Sequence, residues 1–171
     1  MTSGLDYSAS YDFDLGASEL TTGIEGSYTM EYDSEDFLTG DGLKIADGGD
    51  FVGFLNEGTP FQSIVEHRVN AFARYSRGPH SLSYTARYVS GYTDVAPSVA
   101  DLGKIDDHMT HDVTYSVSLF NERTRLTASV FNLTDEDPPF ASTDLNYDAY
   151  QHSAFGRMIK VGIVHKFGGS E

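Results

Sequence analysis

Two histidines in an acidic stretch are the residues whose types and spacing best suit chemistry. His108 and His111 stand beside Asp106, Asp107 and Asp112, and imidazole with carboxylate is a ligand set that binds divalent transition metals. The following residues alternate apolar and polar side chains, as in a β-strand, where positions three apart point to opposite faces. The two histidines are therefore expected to diverge, and we predict no metal site and no cofactor.

Other catalytic or ion-binding patterns are missing from the sequence. It contains no nucleophile elbow, phosphate-binding loop or HExxH zinc motif. The acids Asp33, Glu35, Asp36 and Asp41 do not follow the spacing of an EF-hand loop. The net charge of -15 argues against binding to nucleic acid, and the lack of cysteine excludes disulfides and thiolate metal sites. We predict that the protein is not an enzyme and has no catalytic residue.

The elements that position these residues are β-strands. In the first segment, apolar residues at positions 5, 7, 9, 11, 13 and 15 alternate with aspartate and serine. This period of two predicts a sheet with one apolar and one polar face. No window has a helical period, and no apolar run is long enough for a spanning helix. The same alternation defines seven strands, near residues 5–15, 20–32, 65–76, 81–92, 111–120, 125–133 and 158–167.

The connections between these segments alternate between short and long. The long ones, residues 33–60, 94–108 and 134–156, hold 16 of the 26 acidic residues and only Lys44 and Lys104 as bases. Outer-membrane barrels have short periplasmic turns and long extracellular loops, whereas a sandwich has no reason to sort its loops in this way. The sequence leaves three roles open for this acidic charge: it keeps the loops soluble, it allows divalent cations to bridge them to a lipopolysaccharide surface, or it attracts a cationic ligand. The pattern favours an outer-membrane barrel.

In a barrel, the polar face of the sheet lines the lumen. Arg68, Arg74 and Arg87 fall on that face and are therefore candidate lumen-lining residues. Arginines in such positions line a ligand path or form salt bridges with acidic side chains of neighbouring strands, and the sequence leaves both roles open.

The C-terminal third carries the most specific motif. Residues 130–140, VFNLTDEDPPF, resemble the penultimate-strand signature of TonB-dependent receptors, in which an Asn-Leu-x-Asp run leads into a proline-containing final loop. Tyr147-Asp148, Gly156-Arg157 and the strand end at residues 165–167 are similar to the close of the same family. Residues 5–32 and 69–92 resemble its late barrel hairpins, so the resemblance covers about residues 5–167.

The last strand also resembles the signal that the outer-membrane assembly machinery reads. That signal combines a polar residue, a glycine and spaced hydrophobic residues that end in an aromatic. Here it corresponds to Lys160, Gly162, His165 and Phe167. His165 departs from the usual hydrophobic choice, and residues 168–171 extend past the terminal phenylalanine.

The resemblance implies a receptor in the outer membrane of a Gram-negative bacterium. In that family a barrel of twenty-two strands surrounds an N-terminal plug, and TonB pulls on a short N-terminal box to admit a ferric siderophore, haem, cobalamin or an oligosaccharide. Residues 1–171 would form a single partial domain, about strands sixteen to twenty-two, without a plug, a TonB box or a signal peptide. We therefore expect a fragment that is not transport-competent alone.

The same resemblance implies the partners. They are outer-membrane lipid and lipopolysaccharide, the assembly machinery, TonB only through the missing plug or box, and an unidentified small-molecule nutrient, with no nucleic acid. Two alternatives stay open from the sequence. One is a small soluble β-sandwich or lipocalin-like ligand-binding module. The other is a small structural or adhesive outer-membrane barrel in which residues 51–55 add an eighth strand.

Overall fold

The computed structural model describes residues 1–55, 62–94 and 103–167. The C-terminal extension at 168–171 and parts of two long acidic loops, at 56–61 and 95–102, lie outside this part. The described residues form the strands β1 (Thr2–Asp14), β2 (Ser18–Ser34), β3 (Phe37–Leu38), β4 (Lys44–Ala46), β5 (Gly49–Asp50), β6 (Phe54–Leu55), β7 (His67–Arg77), β8 (His80–Val89), β9 (Tyr92–Asp94), β10 (Lys104–Ile105), β11 (His108–Leu119), β12 (Thr124–Phe131) and β13 (Met158–His165).

The seven long strands form one sheet in the order β1-β2-β7-β8-β11-β12-β13, and every neighbouring pair in it is antiparallel. Each strand pairs with the next long strand along the chain, which makes the sheet a meander. Short turns connect these strands at one end of the sheet, and the long loops connect them at the other, here called the loop end. The predicted all-β fold of about seven long antiparallel strands is confirmed.

The register keeps the two faces of the sheet separate. On one row Ala9 lies opposite Ile24, and Ile24 lies opposite Ala71. On the adjacent row Glu25 lies opposite Asn70, which in turn lies opposite Arg87. The register shifts once, between Ser3 and Gly4 at the start of β1, and is otherwise regular across the seven strands. Since side chains alternate along every strand, this register gives one continuous apolar face and one continuous polar face.

The apolar face is open to its surroundings. Ile159, Val161 and Ile163 on β13 are 74%, 79% and 69% exposed. The two further sheets within the described residues are small: β10-β9-β6 and β3-β4. No described sheet is therefore large enough to pack against this face as the second layer of a sandwich.

No helix in the described part of the chain has the length and apolar character needed to cross a membrane.

The buried apolar core lies at the loop end rather than along the sheet. It consists of Leu55, Val65, Tyr92, Ile105 and Ala141. The small sheet β10-β9-β6 brings three of these together, because Ile105 pairs with Tyr92 and β6 runs parallel to β9. This core holds the long loops in place over the end of the large sheet.

Three predicted details differ from the structure. β8 ends at Val89, so Tyr92 lies on the separate strand β9. The ladder ends at Ser90, which still donates its backbone N–H to the His67 carbonyl but accepts the His67 N–H on its side-chain Oγ. At Gly91, a Cβ atom would lie 2.8 Å from the Ile105 carbonyl oxygen. Residues 51–55 do not add an eighth long strand, since Phe54–Leu55 pairs with β9 in the small sheet. Val65 precedes β7 and belongs to the core at the loop end.

Candidate functional site at the loop end

A pocket of about 430 Å³ opens on the polar face at the loop end of the sheet. We call it the mouth pocket. Strands β7, β8 and β11 supply one wall, and the loop between β12 and β13 supplies the other. Its polar lining includes Arg68, Asn70, Arg87, His108, Asn132 and His152. It is the feature of the described residues that best combines concave shape with convergent polar groups.

Four buried polar side chains form a hydrogen-bonded row beside the mouth pocket. The Tyr92 hydroxyl donates to Asp148 Oδ2 at 2.8 Å and lies 3.3 Å from His152 Nε2. His152 Nδ1 lies 3.2 Å from His108 Nδ1. All four residues are at most 9% exposed. The row connects β9, β11 and the final loop through side chains alone.

Burial changes the proton affinities in this row. It lowers the pKa of His152 to about 4, and repulsion from His108 lowers it further, against the attraction of Asp148. Burial and then the Asp148 charge raise the pKa of Tyr92. His152 is therefore neutral and Tyr92 protonated near neutral pH. With its proton donated to Asp148, the Tyr92 oxygen accepts from His152 Nε2–H, which leaves His152 Nδ1 without a proton.

The predicted lumen arginines divide between two places. Arg87 pairs with Asp112, whose Oδ1 also accepts the Asn132 backbone N–H at 3.0 Å. Arg68 donates to Gln151 on the final loop, and both Arg68 and Arg87 line the mouth pocket. Arg74 lies away from the pocket, with its guanidinium 4.4 Å from the centre of the Phe72 ring.

The Asn-Leu-x-Asp run, singled out from the sequence, shapes the start of the final loop. Asn132 has a φ of 51°, and its side chain bonds both the backbone N–H and the carbonyl of Glu136, at 2.9 and 2.8 Å. Asp135 accepts the backbone N–H of Arg157 at 2.6 Å and pairs with its guanidinium at 3.2 Å. These two contacts lower the pKa of Asp135. The motif therefore ties the first residues of the loop to its last ones.

The residues of the predicted assembly signal lie on β13 and just beyond it. Lys160 and Gly162 are on the polar face, opposite Ser129 and Thr127. His165 Nδ1 lies 2.8 Å from Thr124 Oγ1, and the Phe167 ring meets the His165 ring edge-on at 4.4 Å. Their role in assembly stays a prediction.

The sequence correctly predicts that His108 and His111 diverge. His111 Nδ1 lies 2.7 Å from the Tyr84 hydroxyl on the opposite face of the sheet from His108. Sequence reasoning missed His152 as the neighbour of His108, because 44 residues separate them and no local pattern joins them. In the described residues, no group of three or more His, Cys, Asp or Glu side chains surrounds one point.

The acidic loop after β2 is partly neutralised by its own base. Lys44 pairs with Asp36 at 2.8 Å and also with Asp47. These two hydrogen-bonded contacts raise the pKa of Lys44 to about 12. The pKa of Asp36 is lowered by hydrogen bonds from the Gly48 backbone N–H and from the Lys44 ammonium. These contacts hold Asp36 and Asp47 on either side of the lysine ammonium.

Comparison with known proteins finds the fold but no family. No protein-family model and no curated protein matches the sequence. A solved structure, the outer membrane transporter YddB from Escherichia coli, matches with a TM-score of 0.60 and 14% identity over 97% of this chain. The match spans 25% of the YddB chain, so this chain corresponds to about a quarter of that length. The chain therefore has the fold of part of an outer-membrane transporter barrel.

Proposed function

We propose that this chain is the C-terminal barrel portion of a TonB-dependent outer-membrane receptor that takes up a scarce nutrient. The observation that carries the proposal is the fold: a two-faced antiparallel meander that matches part of a transporter barrel over nearly its whole length. The VFNLTDEDPPF run at 130–140 supports the narrower family assignment, because its residues tie together the final loop that precedes β13.

The open apolar face supports a place in the outer membrane. Large apolar side chains remain exposed on this face, for example Leu5, Leu126 and Ile163. Lipid would cover such a face, and the closed hydrogen bonding of a barrel would satisfy the strand edges. Outer-membrane lipid, lipopolysaccharide and the assembly machinery are the partners that this location supplies.

The mouth pocket supports the role in uptake. It lies at the end where the long acidic loops gather, which faces outward in barrels of this type. Its lining offers arginine, amide and imidazole groups for a polar solute. The nutrient class stays open between siderophore, haem, cobalamin and oligosaccharide, and TonB acts in that family through the plug rather than through the barrel.

Uptake by whole cells tests this proposal. The coding sequence of this chain is deleted in frame from the receptor gene of the source bacterium. Uptake of radiolabelled ferric siderophore, haem, cobalamin and maltodextrin is then measured with and without a complementing copy of the whole receptor gene. We expect uptake of one probe to fall to background, to return on complementation, and to stop in wild-type cells treated with a protonophore. Unchanged uptake of all four probes, or recovery of the protein outside the outer-membrane fraction, would contradict the proposal.

A further inference from the structure

We propose that His108 and His152 form a two-histidine site for a first-row divalent metal ion such as Zn²⁺ or Ni²⁺, open toward the mouth pocket. This site goes beyond the proposed uptake function and does not depend on it. The two histidines come from different parts of the chain, one at the start of β11 and the other in the final loop.

The separation of the two nitrogens matches that of two ligands on one ion. Metal–nitrogen bonds of about 2.0–2.1 Å in a tetrahedral site place two ligand atoms about 3.3–3.4 Å apart. His108 Nδ1 and His152 Nδ1 are 3.2 Å apart, and their rings are inclined at 88°. The nitrogens, rather than the ring faces, therefore approach each other.

The surroundings of His152 hold it in the protonation form that a ligand needs. Its Nε2 faces the Tyr92 hydroxyl, which is itself fixed by its bond to Asp148. Metal-binding histidines commonly use the second ring nitrogen in this way, to donate to an oxygen that orients the ring. The result is a bare lone pair on His152 Nδ1, on the side of the ring that faces His108.

The contact with His152 leaves one ring nitrogen of His108 without a hydrogen-bond partner among the described residues. If His108 Nδ1–H donates to His152, then His108 Nε2 is a bare acceptor, and it is buried without a hydrogen-bond partner among the described residues. A metal ion on Nδ1 requires the other tautomer, in which the ring proton lies on Nε2 and this buried atom is a donor instead of an acceptor. Burial is the largest effect and disfavours positive charge at both histidines. The charges of Glu136 and Asp148 partly offset it at His108 and His152 respectively, and His108 and Arg68 add to it at His152.

The mouth pocket supplies the remaining coordination positions. Two histidines fill half of a tetrahedral shell, and both line this pocket of about 430 Å³. Water or the oxygen and nitrogen donors of a chelating solute would complete the shell. The site is thus open, as expected where no third histidine or carboxylate joins the pair within the described residues.

Metal titration of the purified full chain in detergent tests the site. We expect saturable binding of one Zn²⁺ or Ni²⁺ ion by calorimetry. His108→Gln and His152→Gln should each abolish it, and His111→Gln, on the opposite face of the same strand, should leave it unchanged. Tyr92→Phe keeps the ring but removes the orienting oxygen, and should weaken binding by about 10–100-fold.

Two further readouts keep the result interpretable. Circular dichroism confirms that each variant keeps its strand content, and binding should weaken as the pH falls through the range in which imidazole protonates, because only neutral histidine is a ligand. Absence of saturable binding by the folded wild-type chain, or binding that survives in both glutamine variants, would overturn the proposal. Neither result bears on whether cells take up a nutrient.

Discussion

At the scale of single residues, the row Asp148–Tyr92–His152–His108 organises the loop end. Each member is buried and polar, so each must find a partner or destabilise the fold. The partners come from elements far apart in sequence, so the row forms only when the loops that carry them are folded over the sheet. Its stability depends on pH because two imidazole rings meet in it.

The first prediction is that acid loosens the final loop through His152. Its pKa is about 4 in the folded chain, against about 6.5 in an unfolded one. The native state binds fewer protons between these values, so stability is complete above pH 6.5 and is lost as the pH falls toward 4. At about 1.4 kcal/mol per pKa unit, the loss is on the order of 3 kcal/mol.

Amide hydrogen exchange of residues 148–152 measures this effect, after correction for the intrinsic pH dependence of exchange. His152→Gln is the matched variant, since glutamine keeps a polar side chain but does not titrate in this range. Protection in wild type should fall between pH 7 and pH 5 more steeply than in the variant. Parallel pH profiles in both proteins would show that another group controls the loop.

The positions and contacts of single side chains were predictable from the sequence only where a local pattern determines them. The divergence of His108 and His111 follows from the two-residue period of a strand, and the structure agrees. The meeting of His108 with His152 depends on how two loops fold over the sheet, and no period or spacing reports that. Arg68 and Arg87 reach the mouth pocket and Arg74 does not, because their heights along the strands differ while their face is the same.

At the scale of elements, the turn after β12 is held by one side chain. Asn132 has a left-handed backbone conformation and forms two hydrogen bonds with the backbone of Glu136. Asn121, in the short turn before β12, has nearly the same φ of 53°, but none of the described hydrogen bonds involves its side chain. The pair separates the cost of the backbone conformation from the contribution of the hydrogen bonds.

The second prediction uses this pair. Asn132→Ala should reduce the free energy of unfolding by about 2 kcal/mol more than Asn121→Ala, since both lose asparagine from a left-handed position but only the first loses two hydrogen bonds. Denaturant unfolding of both variants in the same detergent measures the difference. Equal losses would mean that the Asn132 side chain contributes no more than its backbone preference.

Strands were easier to predict than their ends. All seven long segments appear in the sheet, because alternation over ten or so residues is typical of a strand whose two faces have different surroundings. The alternation continues past Val89 to Tyr92, yet the strand stops, since the backbone N–H of His67 bonds the side-chain oxygen of Ser90. Periodicity records which face a side chain prefers but not where the ladder of hydrogen bonds ends.

At the scale of the whole molecule, the sheet is open and has two unlike faces. Among the described residues β1 pairs with β2 alone and β13 with β12 alone, which leaves two free edges. Free edges and an exposed apolar face together make an isolated sheet prone to aggregate. Closure within a larger barrel and contact with lipid would remove both problems, so the surroundings of the sheet decide its stability.

The third prediction tests those surroundings directly, through two neighbouring residues near the middle of β12. Ala128 lies on the apolar face, opposite Tyr115 and Val161, and Thr127 lies on the polar face, opposite Ser116 and Gly162.

In phospholipid vesicles, Ala128→Arg should reduce the free energy of unfolding by about 2–4 kcal/mol, the cost of an arginine at the centre of a bilayer. Thr127→Arg should cost far less, because its charge enters the polar side beside a glycine. Urea unfolding of both reconstituted variants measures these changes. In water an arginine at exposed Ala128 would cost almost nothing, so a neutral Ala128→Arg would mean that lipid does not cover the apolar face, and the membrane assignment would fail with it.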